Sequence, residues 1–209
     1  MFEKNAALFL YSVSPVHMGA GTATGVIDNP IQREVHTQHP SFAGSGLKGA
    51  IRHGFEALGG NPDKADQLFG PRQGELHAGA VSLGDAQLVA LPVRTRREGY
   101  AYATSPLALA RLQRLLQQSG LQPEWAVPTL PQGEAARAPA AVTPEGLEAL
   151  TADGGRLHLE VFELAAQADP GVAAIGQWLA KHALSEAHGV YFRSKLARDL
   201  VVLPDTELD

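Results

Sequence analysis

Gly44-Ser45-Gly46-Leu47-Lys48-Gly49-Ala50-Ile51-Arg52 places a glycine-flanked helix start beside two cations one turn apart. Leu47, Ala50, Ile51, Gly54, Phe55 and Leu58 recur at spacings of three and four, which predicts a buried stripe on a helix opening at Ser45 and stopping at Gly59-Gly60. A helix start presents unpaired N–H groups and about half a positive charge. Its third position favours Glu or Gln, completing a capping box with Ser45, yet Lys48 stands there. A cation at the positive end costs about 0.3–1 kcal/mol, which a bound anion would offset. Two readings stay open: the N–H groups, Lys48 and Arg52 cradle a phosphate, or an ordinary amphipathic helix carries solvated cations. The stretch is not a Walker A loop, since the order Gly-x-x-x-x-Gly-Lys-Ser/Thr is absent.

Upstream, Ala6 to Val13 reads as a strand that Ser14-Pro15 ends. His17 to Pro40 is Gly-rich and polar, a long loop or irregular hairpin of the kind that carries function more often than not. Within it, Asp28 is either turn chemistry in Asp28-Asn29-Pro30 or a carboxylate working with His17, Arg33 or Glu34. His36 and His39 share a three-residue spacing but lack the helical geometry and third ligand of a zinc site.

Downstream, His77 to Val93 reads as two strands around a Gly84-Asp85 turn. Arg94-x-Arg96-Arg97 is a solvated strand end or a phosphate contact. Ser105 as N-cap, Pro106 after it, the Leu109, Leu112, Leu116 face and a stop at Gly120 predict a second long helix. Residues 121–146 hold Pro123, Pro128, Pro131, Pro139 and Pro144 and show no period, which predicts a connection or inserted lobe. A strand at Leu157 to Val161, a helix from Asp169-Pro170 and a last strand at Leu200 to Leu203 complete an α+β order.

The chain has 209 residues, 44% hydrophobic and 19% charged, which suits a globular protein with a real core. The absence of cysteine excludes disulfides, thiolate metal sites and cysteine nucleophiles, as expected of a reducing cytoplasm. No apolar run approaches the ~18 residues of a membrane span, and the first residues lack a signal peptide's pattern. A net charge of -5 taken alone argues against nucleic acid. Its distribution leaves a local basic surface in the first half open: residues 1–114 hold 11 Lys/Arg against 9 Asp/Glu, and residues 115–170 hold 2 against 8.

Taken in order, His17-Met18-Gly19-Ala20-Gly21, Val26 through Thr37, Pro40 and Gly44 through Arg52 closely resemble the RAMP superfamily of CRISPR-associated proteins. The resemblance is to the repeated backbone subunit of type III effector complexes. The run Ile31-Gln32-Arg33-Glu34-x-His36-Thr37 is more similar to the Cmr (III-B) version than to the Csm (III-A) one. Phe69-Gly70, Ala78-Gly79-Ala80-Val81, Asp85-Ala86 and Pro92-Val93-Arg94 extend it over about the first 110 residues. The family usually continues into further strands ending in a Gly-Ala-Leu-Phe-like motif, so a C-terminus that stops short of that ending is expected here.

The resemblance implies a modified ferredoxin-like (RRM-like) palm with an inserted thumb. Residues 1–120 would form the palm core, 121–200 the thumb and helical region, and 201–209 the start of a return strand. Copies of the chain would stack in a filament along a CRISPR guide RNA, beside other Cmr subunits and without a membrane. Complementary target RNA would be cleaved at regular intervals in antiviral defence. Asp28 would be catalytic and hold a divalent metal, Mg2+ by expectation, with His17 beside it. Arg33, Ser45, Gly46, Lys48, Arg52 and Arg94 would face RNA. Two alternatives are a non-catalytic guide-RNA scaffold of the same family and a stand-alone metal-dependent hydrolase using His17, His36 and His39.

Overall fold

Residues 4–21, 29–74, 77–130, 138–152 and 155–208 are described by the computed structural model, and the chain divides into two units. The first covers Val16–Leu88; the second joins Lys4–Pro15 to Val89–Asp209.

In the first unit, α1 (Gly44–Ala57) and α2 (Pro62–Phe69) are linked by a turn through Gly59, whose φ of 82° a residue with a side chain adopts poorly. Asn61 caps α2, its side chain accepting from the Lys64 N–H, and Pro62 opens the helix. The stripe expected on α1 is only partly covered. Gly44 is its one buried residue, while Ile51 is 37% and Leu58 91% exposed. The hairpin expected around Gly84-Asp85 does not form, and of the two runs between His77 and Val93 only the end of the second is a strand, from Leu91. Phe42 bridges Ala86 instead, so this stretch returns to the segment that enters α1.

The second unit is built on a mixed sheet. Its strands are β1 (Leu91–Arg94), β2 (Tyr100–Thr104), β3 (Pro139–Val142), β4 (Thr151–Ala152), β5 (Arg156–Leu159), β6 (Phe162–Ala168) and β7 (Leu200–Val202). The spatial order is β1-β2-β7-β3-β6-β5-β4, with β2/β7 and β3/β6 parallel and the other pairs antiparallel. The sheet thus draws strands from both sides of residue 120.

Helices α3 (Pro106–Gln118), α5 (Pro170–His182) and α6 (Gly189–Arg198) close the core. Ser105 caps α3 and Asp169 caps α5 as expected, each followed by proline. Leu109, Leu112, Leu116, Ile175, Leu179, Leu200 and Val202 join in one buried cluster. Gly176 lets α5 approach α6 closely, since a Cβ there would lie 2.7 Å from the Ala197 carbonyl oxygen. The end of α6 is held by a satisfied buried ion pair. Lys195 reaches Asp199 at 2.5 Å and donates to the Glu98 carbonyl, while Arg198 also binds Asp199.

Two expectations are corrected. The segment from Ala6 to Val13 has strand-like alternation, with Ala7, Phe9 and Tyr11 packed on the core and Leu8 and Leu10 exposed, but it pairs with no described strand. The Pro-rich stretch after 121 does hold regular structure, β3 and α4 (Pro144–Leu150). Pro139 takes the first strand position, where its missing N–H costs little. Thr143 caps α4, its hydroxyl accepting from the Gly146 N–H and donating to the Arg198 carbonyl.

Candidate nucleic-acid interface

Every residue expected at the RNA site except Arg94 belongs to the first unit. Its base is a pair of antiparallel arms. Gly19 bridges Ile31, the Ala20 N–H donates to the Pro30 carbonyl at 2.8 Å, and the Gln32 N–H donates to the Met18 carbonyl at 2.7 Å. A Cβ on Gly19 would fall 2.0 Å from Asn29 Oδ1, so the Asn29 side chain packs over the glycine and would have to turn away from any larger residue. Asn29 itself has φ of 47°, a left-handed conformation that asparagine tolerates.

The arms bring His17 to Asn29, with Nε2 2.9 Å from the Asn29 carbonyl oxygen. A carbonyl only accepts, so Nε2 carries the proton, and in neutral His17 the lone pair lies on Nδ1. Asp28 lies outside the described residues; it is the covalent neighbour of Asn29. His17 is therefore tied to the residue next to Asp28.

Beyond the arms, Arg33 to Pro40 is a self-locked turn. The Glu34 N–H donates to the His39 carbonyl, Thr37 Oγ1 donates to Glu34 Oε2 at 2.6 Å, and Arg33 donates to the Gln38 carbonyl at 2.6 Å. Arg33 remains exposed, whereas His39 is buried. Among the described residues no three His, Asp or Glu side chains come together to hold a metal, so the His17, His36, His39 hydrolase gains no support from the geometry.

The entry to α1 differs from the sequence expectation by a small but consequential shift. The N-cap is Ala43, without a side-chain cap, and helical geometry begins at Gly44. Lys48 is consequently the fifth helical residue, not the third, and Ser45 caps nothing. The acceptor at the helix start comes from far along the chain: the Gly44 N–H donates to Asp85 Oδ1 at 2.7 Å. Asp85 thereby supplies a negative charge at the positive helix end. Met18 closes the other side, its sulfur 3.1 Å from the Ala43 nitrogen. A Cβ on Gly46 would lie 2.9 Å from the Met18 methyl. Ser45 and Gly46 face solvent with their backbone N–H groups ahead of the first intrahelical bond, Leu47 N–H to Ala43 carbonyl.

Lys48 and Arg52 then part company. Arg52 has only 12% of its side chain exposed and donates to Glu56, to Asp66 and to the Gly70 carbonyl. Hydrogen bonds to Asp66 first, then Glu56, raise its pKa above the usual arginine value. It is a strap between α1 and α2, with three of its N–H donors engaged within the first unit. Lys48 is half-buried and makes no ion pair with a described residue. Arg94, in the second unit, has an exposed side chain on β1, while Glu160 binds its backbone N–H and carbonyl.

Sequence reading missed Asp85 and Met18 as supports of this site. No local signal marks either one: Asp85 acts on a residue 41 positions away, and Met18 on one 25 positions away.

The RAMP superfamily profile matches residues 9–197, and the chain belongs to that family. Within it the chain is similar to the CRISPR system Cmr endoribonuclease Cmr4 of Pyrococcus furiosus, with 34% identity over 200 residues. That match covers 94% of this chain and 63% of the relative, so the chain spans less than two thirds of the relative's length. The crystal structure of oligomeric Cmr4 from Pyrococcus furiosus superposes with a TM-score of 0.74 at 30% identity, covering 95% of this chain and 68% of that one. A type III-B Cmr-beta structure bound to cognate target RNA shares the fold, with a TM-score of 0.59 at 18% identity over 91% of this chain and 62% of that one. These likenesses bear out the α+β RAMP fold. Among the described residues no helix is long and apolar enough to cross a membrane.

Proposed function

We propose that this chain is a backbone subunit of a type III-B CRISPR complex that holds guide RNA and takes part in cutting complementary target RNA. The observation that carries the reading is the similarity to Cmr4 across 94% of the chain, which includes the arms, the locked turn and the α1 entry. Guide phosphates would be held by the open N–H groups of Ser45 and Gly46 with Lys48, helped by exposed Arg33 and Arg94.

Cleavage would proceed by attack of a target 2′-oxygen on the adjacent phosphorus. A bond forms between them while the bond to the 5′-oxygen breaks and that oxygen takes a proton from water, leaving a 2′,3′-cyclic phosphate and a 5′-hydroxyl. Asp28 or His17, through Nδ1, would take the 2′-hydroxyl proton. A base splayed from the duplex would bring the 2′-oxygen in line with the phosphate. Base specificity is left to guide pairing.

The described residues do not by themselves form a metal cage. A Mg2+ ion would need Asp28 together with RNA phosphate oxygens, a common arrangement for this ion, and no step above is routed through it.

The test is to assemble the chain with guide RNA and its partner subunits, supply complementary RNA, and compare Mg2+ with a chelator. Regularly spaced cuts that disappear on chelation are expected; random or guide-independent cuts contradict the reading. Lys48→Ala should weaken guide binding several-fold and flatten its salt dependence by about 0.7 for each single-strand phosphate that the lysine no longer neutralises. Its melting temperature should stay near wild type. Guide retention unchanged across salt would remove Lys48 from the interface.

A further inference from the structure

We propose that a cleft of about 350 Å3 in the second unit, walled by Arg96, Arg97, Arg156 and His158, is a binding site for a phosphate group. It lies apart in sequence from the arms and the α1 entry, and no step of the proposed RNA cleavage uses it.

Local structure explains how the arginines meet. Thr95 to Gly99 is a tight turn between β1 and β2, closed by the Thr95 N–H on the Gly99 carbonyl at 3.1 Å, with Glu98 and Gly99 both left-handed. That turn carries Arg96 and Arg97. It is stitched to β5, because Thr95 bridges Leu159 and the Arg96 N–H reaches the His158 carbonyl at 3.4 Å. Along β5, Leu157 and Leu159 point into the core, so the period of two sends Arg156 and His158 to the opposite face. Two remote segments thus deliver three guanidiniums to one concavity.

The chemistry of the walls selects the ligand. Arg97 is already oriented, its guanidinium donating to the Thr151 carbonyl. Among the described lining residues Glu163, opposite His158 in the β5/β6 register and 3.8 Å from it, is the one carboxylate. Arginine forks match phosphate oxygens in pairs, and forks from two chain segments suit a tetrahedral group better than a planar carboxylate. Ala152, half-buried at the edge of the cleft, adds a small apolar surface for the sugar attached to that phosphate. The volume sits at the low end of the range of about 300–1,000 Å3 for small-ligand sites, the scale of one nucleotide.

The phosphate can come from an RNA chain or from a free phosphate ester, and one experiment on the full chain separates them. Wild type, Arg96→Gln/Arg156→Gln and Arg96→Lys/Arg156→Lys are titrated with a fluorescent single-stranded oligouridylate across salt. In parallel, their melting temperatures are followed with inorganic phosphate and with AMP. For an RNA source, the Gln pair binds the oligonucleotide about tenfold more weakly with a salt slope shallower by about 0.7–1.4. The Lys pair keeps the slope but binds more weakly than wild type. For a free ester, RNA binding is unchanged, and the rise in melting temperature with phosphate or AMP is lost in the Gln pair. The guide-RNA reading is tested by Lys48→Ala and the cleft by the Arg96 and Arg156 pairs, and losses that add in the triple variant mark two separate sites, so failure here and failure of the guide-RNA reading are distinguishable. A Gln pair that melts like wild type and binds all three probes equally overturns the proposal, as does wild type that binds none. Should the Gln pair not fold, equal binding by the Lys pair and wild type overturns the arginine site.

Discussion

Asp28→Ala should leave target RNA bound to the assembled complex while the regularly spaced cuts fall by at least about a hundredfold, the lower end of what a positioned acid–base group contributes. The expectation rests on where His17 is held. Its Nε2 is committed to the Asn29 carbonyl, leaving Nδ1 as the acceptor of the neutral ring. Asp28 is the covalent neighbour of that anchor in the sequence. Removing His17 leaves the carboxylate in the chain, and His17→Ala should therefore cost less than Asp28→Ala. Asp28→Asn separates charge from shape: it should cut as poorly as alanine. Product spacing is read on a sequencing gel and binding by filter retention of the same RNA. Loss of binding together with cutting would make Asp28 architectural, and unchanged cutting would remove it from the chemistry.

Gly44→Ala should be the most disruptive single methyl at the interface. A Cβ there would sit 2.2 Å from the Leu83 carbonyl oxygen and 2.8 Å from the Gly84 carbonyl carbon, both backbone atoms that move only with their chain. Insertion of a methyl into such a contact costs about 1–3 kcal/mol. Relief of the clash must pull the 83–85 segment away from α1, and that segment carries Asp85, the acceptor of the Gly44 N–H. The helix start then loses its carboxylate partner as well as its position. Urea unfolding of the variant should show the lower stability, and guide binding should weaken through misplacement of Ser45, Gly46 and Lys48. A variant with wild-type stability would mean that the two backbones do not meet this closely. Asp85→Ala provides the comparison, since it removes the acceptor without adding bulk, and its effect should resemble loss of a helix cap, about 1 kcal/mol.

Helices α3 and α5 were legible because their information is local. Ser105-Pro106 and Asp169-Pro170 announce the starts, leucine spacing sets the buried face of α3, and Gly120 ends its turn with φ of 77°. Strands β3 and β6 were not legible. Ala140, Ala141, Ala165 and Ala166 have little intrinsic strand preference, and their pairing is decided by burial in the middle of the sheet. The segment from Ala6 to Val13 shows the converse, a correct alternation without a ladder.

The site divides in the same way. Glycine-rich motifs located the arms and the α1 entry: Gly44 meets the backbone of Leu83 and Gly84, while Gly19 and Gly46 lie under the side chains of Asn29 and Met18. Roles that depend on remote partners were out of reach. Lys48 and Arg52, four apart, share a helix face in any reading. Only the fold brings Asp66 and the Gly70 carbonyl to Arg52, turning it into a strap, while Lys48 keeps no such partner among the described residues. Likewise Ser45 has the composition of an N-cap, but Asp85 takes up the Gly44 N–H and moves the helix start forward. The net charge of -5 says little about the arms and α1, since the acidic stretch lies in residues 115–170 and they lie before it.

The central claim is that copies of this chain line up along a guide RNA. The most direct measurement is the mass, by native mass spectrometry, of complexes formed by the full chain and its partner subunits on guide RNAs of increasing length. The number of bound copies is expected to rise in single steps at a constant nucleotide interval. A copy number that stays at one as the RNA lengthens, or complexes without RNA, would contradict it.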